Sequence, residues 1–170
     1  MNMLLIQFIG AIGYTLLTFS YFKKSKSQIL LLQIFSYIFF TTHYYLLSGV
    51  TGAICNLISL AALIAIYVFD LFDFKFKKVL AMFFIILLIV INVMTFQNIF
   101  SLFPMIASVI AILSFLLDDE NSIRCIGIIA TICWLVYAIV YKSYISIIYE
   151  VITLIGVCIA YLKNRKNTIK

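Results

Sequence analysis

Seven apolar runs, each close to 20 residues long, cover almost the whole chain and leave only short polar breaks between them. A helix of roughly 20 apolar residues can cross the roughly 30 Å hydrocarbon core of a bilayer. Only 11% of the residues are charged, against about 25% in soluble domains. These are too few to cover the surface of a soluble fold. The runs do not alternate between polar and apolar residues as barrel strands do. The sequence therefore predicts an all-α membrane protein with seven transmembrane helices.

The predicted spans are bounded by short polar or charged segments. They are Met3–Phe22, Ile29–Leu47, Val50–Phe69, Val79–Phe96, Ile99–Leu117, Ile123–Tyr141 and Tyr144–Leu162. The first run has no basic region before it and no small-residue cleavage site at its end, which favours a retained span over a signal peptide.

The positions of the basic residues predict the orientation. If the N-terminus lies outside, every one of the twelve Lys and Arg residues except Lys142 falls on the inner side. Cytoplasmic loops carry such an excess of Lys and Arg. We therefore expect a multi-pass protein of a bacterial inner (plasma) membrane, with its N-terminus outside and its C-terminus cytoplasmic. The same rule explains the net charge of +6, so no nucleic-acid partner is expected.

A weak internal repeat relates the two halves of the chain. A shift of 94 residues needs no gap, lays loops on loops, and places Asn56 on Glu150 and His43 on Tyr137. A three-helix unit ends on the side opposite to its start, so one linker helix must return the chain before a parallel repeat. The expected layout is 3+1+3: a first bundle at 1–72, a linker helix at 73–97, a second bundle at 98–162 and a basic cytoplasmic tail at 163–170.

Polar side chains inside spans are costly and usually face the protein interior or a cavity. Glu150 is the one carboxylate well inside a predicted span; it predicts a cation, proton or polar-solute site, or else a protonated group bonding a neighbouring helix. Asn56 is either interhelical glue or the second wall of that site. His43, the single histidine, is either a hydrogen-bonded packing residue or a titrating, solute-contacting group near the outer gate.

Aromatic residues and one proline complete the set of candidates. Trp134 and Tyr137 lie one turn apart, which indicates either aromatic packing or a stacking wall for a ligand. Pro104 lies early in the fifth span, where it suits bundle packing or a hinge.

Enzymatic and metal chemistry receive little support from the sequence. It has no paired intramembrane aspartates and no GxSxG, HExxH or phosphate-loop motif, and its four cysteines form no CxxC pair. One histidine and one distant carboxylate are too few ligands for zinc. We expect no enzyme activity, no cofactor and no metal.

Several segments together resemble the bacterial inner-membrane YgjV-like family along nearly the whole chain. The segments are QFIGAIGY at 7–14, HYYLLSG at 43–49, ICNLIS at 54–59, LFPMIAS at 102–108, IRCIGIIATICWLVY at 123–137 and YEVITL at 149–154. Two positions depart from the family pattern: Ala138 replaces an asparagine, and KSYIS at 142–146 lacks a glycine-rich turn. The outer mouth of the second bundle is therefore expected to pack differently.

The predicted layout is also similar to the PQ-loop-like superfamily, which includes SWEET sugar carriers, PnuC vitamin carriers and the KDEL receptor. That resemblance implies a pocket between the bundles at mid-membrane. We expect a carrier or facilitator of a small polar solute, working by alternating access, with Asn56, Glu150, Trp134, Tyr137 and His43 as substrate-binding residues. The alternative is a non-transporting receptor or interaction protein of the same fold. The expected partners are the bilayer and an unidentified solute, with self-association left open.

Overall fold

The computed structural model describes residues 3–72, 75–96 and 98–168, and within these ranges the chain is helical and has no strand. Seven α-helices and one 3₁₀ turn follow one another: α1 Met3–Tyr21, α2 Lys26–Leu46, α3 Val50–Leu71, α4 Lys77–Met94, the 3₁₀ turn Ile99–Ser101, α5 Leu102–Phe115, α6 Glu120–Val140 and α7 Tyr144–Thr168. The all-α prediction is confirmed. The linker boundaries predicted at 73 and 97, and the last two tail residues, lie outside the described residues.

The turns that end α2 and α6 have the same unusual geometry. Ser48 and Lys142 both adopt a left-handed backbone, with φ of 61° and 51°. The next N–H then reaches back into the helix: Gly49 donates to the Tyr44 carbonyl, and Ser143 donates to the Ala138 carbonyl, both at 2.9 Å. This is the Schellman pattern of helix termination, and it lets each following helix begin within four residues.

Helix boundaries recur along the chain with an offset of 94 residues. The matching pairs are the ends of α1 and α5 at Tyr21 and Phe115, the starts of α2 and α6 at Lys26 and Glu120, their ends at Leu46 and Val140, and the starts of α3 and α7 at Val50 and Tyr144. This offset is the register suggested by the sequence. The repeat is thus a property of the backbone as well as of a few side chains.

Six helices pack in a closed ring, and α4 is not part of it. Neighbouring helices pack in the order α1–α2–α3–α5–α6–α7, and α7 closes the ring against α1. The contact of α1 with α7 corresponds, after the 94-residue shift, to the contact of α5 with α3. Helix α4 lies outside this ring against α3 and α5.

Two glycines allow α1 to approach α2 closely. A Cβ atom at Gly10 would lie 2.7 Å from Nδ1 of His43, and one at Gly13 would lie 2.9 Å from the ring of Phe40. Small residues at helix interfaces let backbones approach closely in membranes. The motif QFIGAIGY is therefore a packing motif on α1.

The outer surface of the helix assembly is apolar, most visibly on α4. This helix exposes Val79, Met82, Phe83, Ile86, Ile89, Val90, Val93 and Met94. Among the described residues, α1, α2, α3 and α4 are long and apolar enough to cross a membrane by length and composition, and Ile99–Phe115, Cys125–Val140 and Tyr144–Gly156 are shorter apolar helical segments. A continuous apolar surface of this kind is typical of contact with lipid.

Candidate functional site

A central cavity lies inside the ring of helices. All six ring helices contribute to its lining, and α4 contributes no lining residue. The cavity volume, measured as the space open to the centres of water molecules, is about 50 Å³. This is enough for a compact molecule. Its polar lining residues are Tyr14, Tyr21, Gln33, Tyr37, Tyr44, Asn56, Ser114, Thr131 and Glu150.

The cavity is lined by residues that correspond to one another in the two halves of the chain. Six pairs separated by 94 residues face it: Leu17 and Ala111, Tyr21 and Phe115, Gln33 and Gly127, Tyr37 and Thr131, Phe40 and Trp134, and Asn56 and Glu150. The cavity therefore lies where the two halves meet. The chemistry differs most between Tyr37 and Thr131 and between Asn56 and Glu150, so the two walls are unlike there.

Glu150 brings the one carboxylate to the cavity lining. It lies six residues after the start of α7, roughly 9 Å along the helix at 1.5 Å per residue. Its side chain is 3% exposed, and Oε2 has no hydrogen-bond partner among the described residues. Tyr14 lines the same cavity as this carboxyl group. A buried carboxylate is costly unless it is paired, so a proton or a cation is needed here.

Two amide side chains also present unpartnered atoms. Asn56 is 1% exposed and Gln33 is 5% exposed. Nδ2 of Asn56 and Oε1 of Gln33 have no hydrogen-bond partner among the described residues. Buried polar atoms are nearly always paired in folded proteins. Four such atoms belong to residues that line the cavity, counting Oε2 of Glu150 and the hydroxyl oxygen of Tyr44, and a polar ligand could complete their hydrogen bonds.

Aromatic side chains form much of the remaining wall. They are Tyr14, Tyr21, Tyr37, Phe40, Tyr44, Phe115 and Trp134. The rings of Tyr44 and Trp134 stack with their centroids 5.3 Å apart, and those of Tyr37 and Phe115 meet edge to face at 6.2 Å. Such pairs hold each other in fixed orientations, so these walls of the cavity are stiff.

Three of the five predicted binding residues line this cavity, and two do not. Asn56, Trp134 and Glu150 are lining residues, whereas Tyr137 and His43 are fully buried behind the wall. The role of each in binding stays a prediction.

Tyr137 packs between the halves of the chain instead of facing the cavity. Its hydroxyl accepts the backbone N–H of Gly52 at 3.1 Å. Gly52 is the third residue of α3, and N–H groups in a first helical turn have no partner within the helix. Tyr137 therefore caps α3 from a distance.

His43 has partners on both ring nitrogens. Nδ1 lies 2.9 Å from the Ile6 carbonyl, so this nitrogen carries a proton, and Nε2 lies 3.0 Å from Oγ of Ser143. A carbonyl and a hydroxyl together suit the neutral ring. The pair of His43 and Ser143 resembles a nucleophile with its base, but both residues are completely buried and neither lines the cavity.

Pro104 lies in the first turn of α5, directly after the 3₁₀ turn. Its missing N–H breaks no hydrogen bond there, because a first-turn N–H needs no helical partner. Its role as a hinge stays a prediction.

Several lining residues were not predicted, although the sequence carries a signal for them. Gln33, Tyr37, Phe40 and Tyr44 follow one another at intervals of four, three and four residues on α2. This spacing keeps side chains on one helix face. The sequence signal is a stripe of aromatic residues on one face of an apolar span, together with a glutamine. This pattern predicts a wall of a polar cavity.

A charged cluster lies at one end of the helix ring and consists of Lys26, Asp70, Lys77 and Asp118. Nζ of Lys26 lies 2.8 Å from Asp70 and 3.0 Å from Asp118. Nζ of Lys77 lies 3.0 Å from Asp70 and 3.6 Å from Asp118. The hydrogen bond and charge of Lys26 lower the pKa of Asp118. The cluster joins α2, α3, α4 and the segment before α6.

Metal ligands are not grouped in the part of the chain that the structure describes. No set of three or more His, Cys, Asp or Glu side chains there could hold a metal ion. The side chains around the central cavity fit an organic molecule better, because rings and amides outnumber charged ligands.

Comparison with known proteins gives the family of the chain. A family model described as a bacterial inner membrane protein, Imp-YgjV, matches residues 4–168. No curated protein and no solved structure is significantly similar to the chain. The match covers nearly the whole sequence, and it agrees with the apolar helices and their lipid-suited surface. The chain belongs to the Imp-YgjV family of bacterial inner membrane proteins.

Proposed function

We propose that this protein is a carrier or facilitator of a small polar solute. The observation that carries the proposal is the central cavity, which is enclosed by six helices and lined by unpartnered atoms of Gln33, Asn56 and Glu150. An empty cavity would leave these atoms unpaired, which is costly. A solute that supplies the missing hydrogen bonds offsets that cost.

The proposed architecture is 3+1+3, with α1–α3 as the first unit, α4 as the linker and α5–α7 as the second unit. The matching helix boundaries, the reciprocal contacts between α1 and α7 and between α3 and α5, and the paired cavity residues all support it. Each unit supplies three walls of the cavity. A rocking motion of one unit against the other would move the walls of a shared site.

We further propose that all seven helices cross the membrane, with the N-terminus outside. The charged cluster supports this topology, because it brings together the start of α2, the end of α3, the start of α4 and the segment before α6. All four were predicted to be cytoplasmic.

The orientation is tested by adding a membrane-impermeant thiol reagent to a Ser25→Cys variant in inside-out and in right-side-out vesicles. Labelling from the outer face would contradict the proposed orientation. The same labelling on a variant lacking the four native cysteines is the control.

The contacts between helices differ at the two ends of the ring, above and below the cavity. At one end is the charged cluster, and at the other end His43 contacts Ser143 and Tyr137 contacts Gly52. Between them, the interface of α1 with α7 holds two hydroxyl pairs at 3.3 Å, Thr15 with Tyr149 and Thr18 with Thr153. Neutral hydrogen bonds of this length are weak. This interface is the proposed place of opening.

The test is solute uptake into proteoliposomes. We expect at least one solute from a panel of glycerol, glucose, glycine and ethanolamine to enter faster with the protein than without it. Glu150→Gln should remove most of this uptake while preserving side-chain size. Asp119→Asn is the matched control, since it exchanges a carboxyl for an amide outside the cavity, and asparagine is an equally good N-cap for α6.

A non-transporting receptor of the same fold is the competing function. The small size of the cavity favours it, because a small pocket suits the capture of one compact molecule. Saturable binding of a solute that never enters vesicles would support the receptor and overturn the carrier. We propose no enzymatic role, because the buried pair of Ser143 and His43 has no contact with the cavity.

A further inference from the structure

We infer that the ligand of the central cavity is a compact organic cation, an ammonium compound that also carries a hydroxyl or carbonyl oxygen. This inference deepens the proposed function, since it names the class of solute that the carrier would take. Three properties of the lining carry it: its charge, its rings and its unpartnered atoms.

The only charge that the described lining side chains can carry at neutral pH is a negative one. Glu150 is its one carboxylate, and no Lys, Arg or His is among the lining side chains that the structure describes. With a neutral ligand Glu150 would have to bind a proton to avoid a buried unpaired charge, and an anion would be repelled by the ionised carboxylate. A ligand cation pairs with the carboxylate in an enclosed site, where the attraction is stronger than in water.

The rings of the lining suit the same ligand. Seven of the lining side chains are aromatic, and the faces of Trp, Tyr and Phe attract ammonium groups within about 6 Å of the ring centroid. Aromatic cages are the usual protein solution for ammonium groups that must be held away from water. Tyr14 and Glu150 both line the cavity, so the carboxylate and the rings face the same space.

The unpartnered atoms specify both ends of the ligand. Oε1 of Gln33 and Oε2 of Glu150 are acceptors without donors, and Nδ2 of Asn56 is a donor without an acceptor. The unpartnered hydroxyl of Tyr44 can donate or accept. An ammonium N–H satisfies the first two, and a hydroxyl or carbonyl oxygen satisfies the third. The room of about 50 Å³ for the centres of water-sized molecules limits the ligand to a few heavy atoms in this conformation.

The chain contains its own reporter of occupancy. Trp134 is the only tryptophan of the sequence and lines the cavity. Its fluorescence can be titrated with three probes of similar size and different charge: ethanolamine as the cation, 1-propanol as the neutral analogue and glycolate as the anion. We expect a saturable change with ethanolamine, and at least tenfold weaker binding of 1-propanol and of glycolate, which corresponds to about 1.4 kcal/mol.

Variants separate the charge from the shape of the cavity. Glu150→Gln should weaken ethanolamine binding at least tenfold and leave the 1-propanol titration unchanged. Asp119→Asn should change neither. If Glu150→Gln fails to fold, the probe comparison on the unaltered protein still decides the question, and Tyr37→Leu removes one ring without changing charge; we expect weaker ethanolamine binding from this variant as well.

Each outcome bears on a different claim. Binding of 1-propanol or glycolate as tight as that of ethanolamine, or no response to any probe, overturns the cation inference, and the carrier is then still tested by uptake of the neutral solutes. Ethanolamine binding without ethanolamine uptake supports the cation site and overturns the carrier. Binding together with uptake driven by an inside-negative potential supports both.

Discussion

The hydroxyl of Tyr137 accepts the backbone N–H of Gly52 across 3.1 Å, and so fastens the end of α6 to the first turn of α3. The equivalent position in the other half of the chain is His43, which makes the reciprocal contact. It lies at the end of α2 and reaches Ser143, directly before α7. The two residues therefore hold the halves together at one end of the ring, each by contacting the start of the other half's last helix.

Removal of the Tyr137 hydroxyl tests its capping role. Tyr137→Phe leaves the N–H of Gly52 buried without an acceptor, which costs about 1–3 kcal/mol. We expect a lower midpoint of thermal unfolding in detergent. Tyr45→Phe is the matched control, because Tyr45 is 69% exposed and its loss of a hydroxyl should leave the midpoint unchanged. Equal midpoints for both variants would contradict the capping role.

A methyl group at Gly52 tests the close approach of the same two helices. The Cβ of alanine would lie 2.7 Å from Cε1 of Tyr137, so the ring or α3 must move. Overpacking of this kind costs about 1–3 kcal/mol. Gly156→Ala is the control, since a Cβ there meets nothing within 4 Å. We expect Gly52→Ala to lower the midpoint of thermal unfolding and Gly156→Ala to preserve or raise it.

These contacts show why some site residues were predictable and others were not. The depth of Glu150 and Asn56 within apolar runs indicated that both face the interior, because an intramembrane polar group avoids lipid. Their positions along the helices predict how deep in the membrane the cavity lies. Depth does not show which way a helix is rotated about its axis. Trp134 and Tyr137 lie one turn apart and are predicted on one wall, but only Trp134 faces the cavity.

Most helix boundaries were predicted to within about three residues for a related reason, although α7 continues to Thr168, past the predicted end at Leu162. Charged or polar breaks end an apolar run sharply, so the first span predicted at Met3–Phe22 became α1 at Met3–Tyr21. The charged cluster was not predicted as a cluster. Lys26, Asp70 and Asp118 lie far apart in sequence, and only the packing of α2, α3 and the segment before α6 brings them together.

The charged cluster predicts a pH dependence of stability. Lys26 lowers the pKa of Asp118 in the folded state, so this carboxylate stabilises the fold at pH values above its unfolded pKa of about 3.9, and the contribution is lost as the pH falls through the lower folded value. Because Asp118 is largely exposed, screening keeps the contribution small. We expect the unaltered protein to unfold at a higher temperature than Asp118→Asn at pH 7, with the gap closing toward pH 3.

Salt provides the control for that experiment. At 1 M salt the Debye length is about 3 Å, so the gap between the two proteins at pH 7 should shrink. A gap that persists at low pH and at high salt would mean that Asp118 stabilises the fold by packing and not by charge.

Gln33 is expected to bind solute at a cost in stability. Its Oε1 is buried without a partner, and an unsatisfied buried polar group costs about 1–3 kcal/mol. Gln33→Leu replaces the amide by an apolar group of similar size, so the solute-free protein should unfold at a higher temperature. The same change removes an acceptor from the cavity, so ethanolamine binding measured by Trp134 fluorescence should weaken. The opposite pairing, in which stability falls and binding is retained, would show that Gln33 supports the fold and does not contact the ligand.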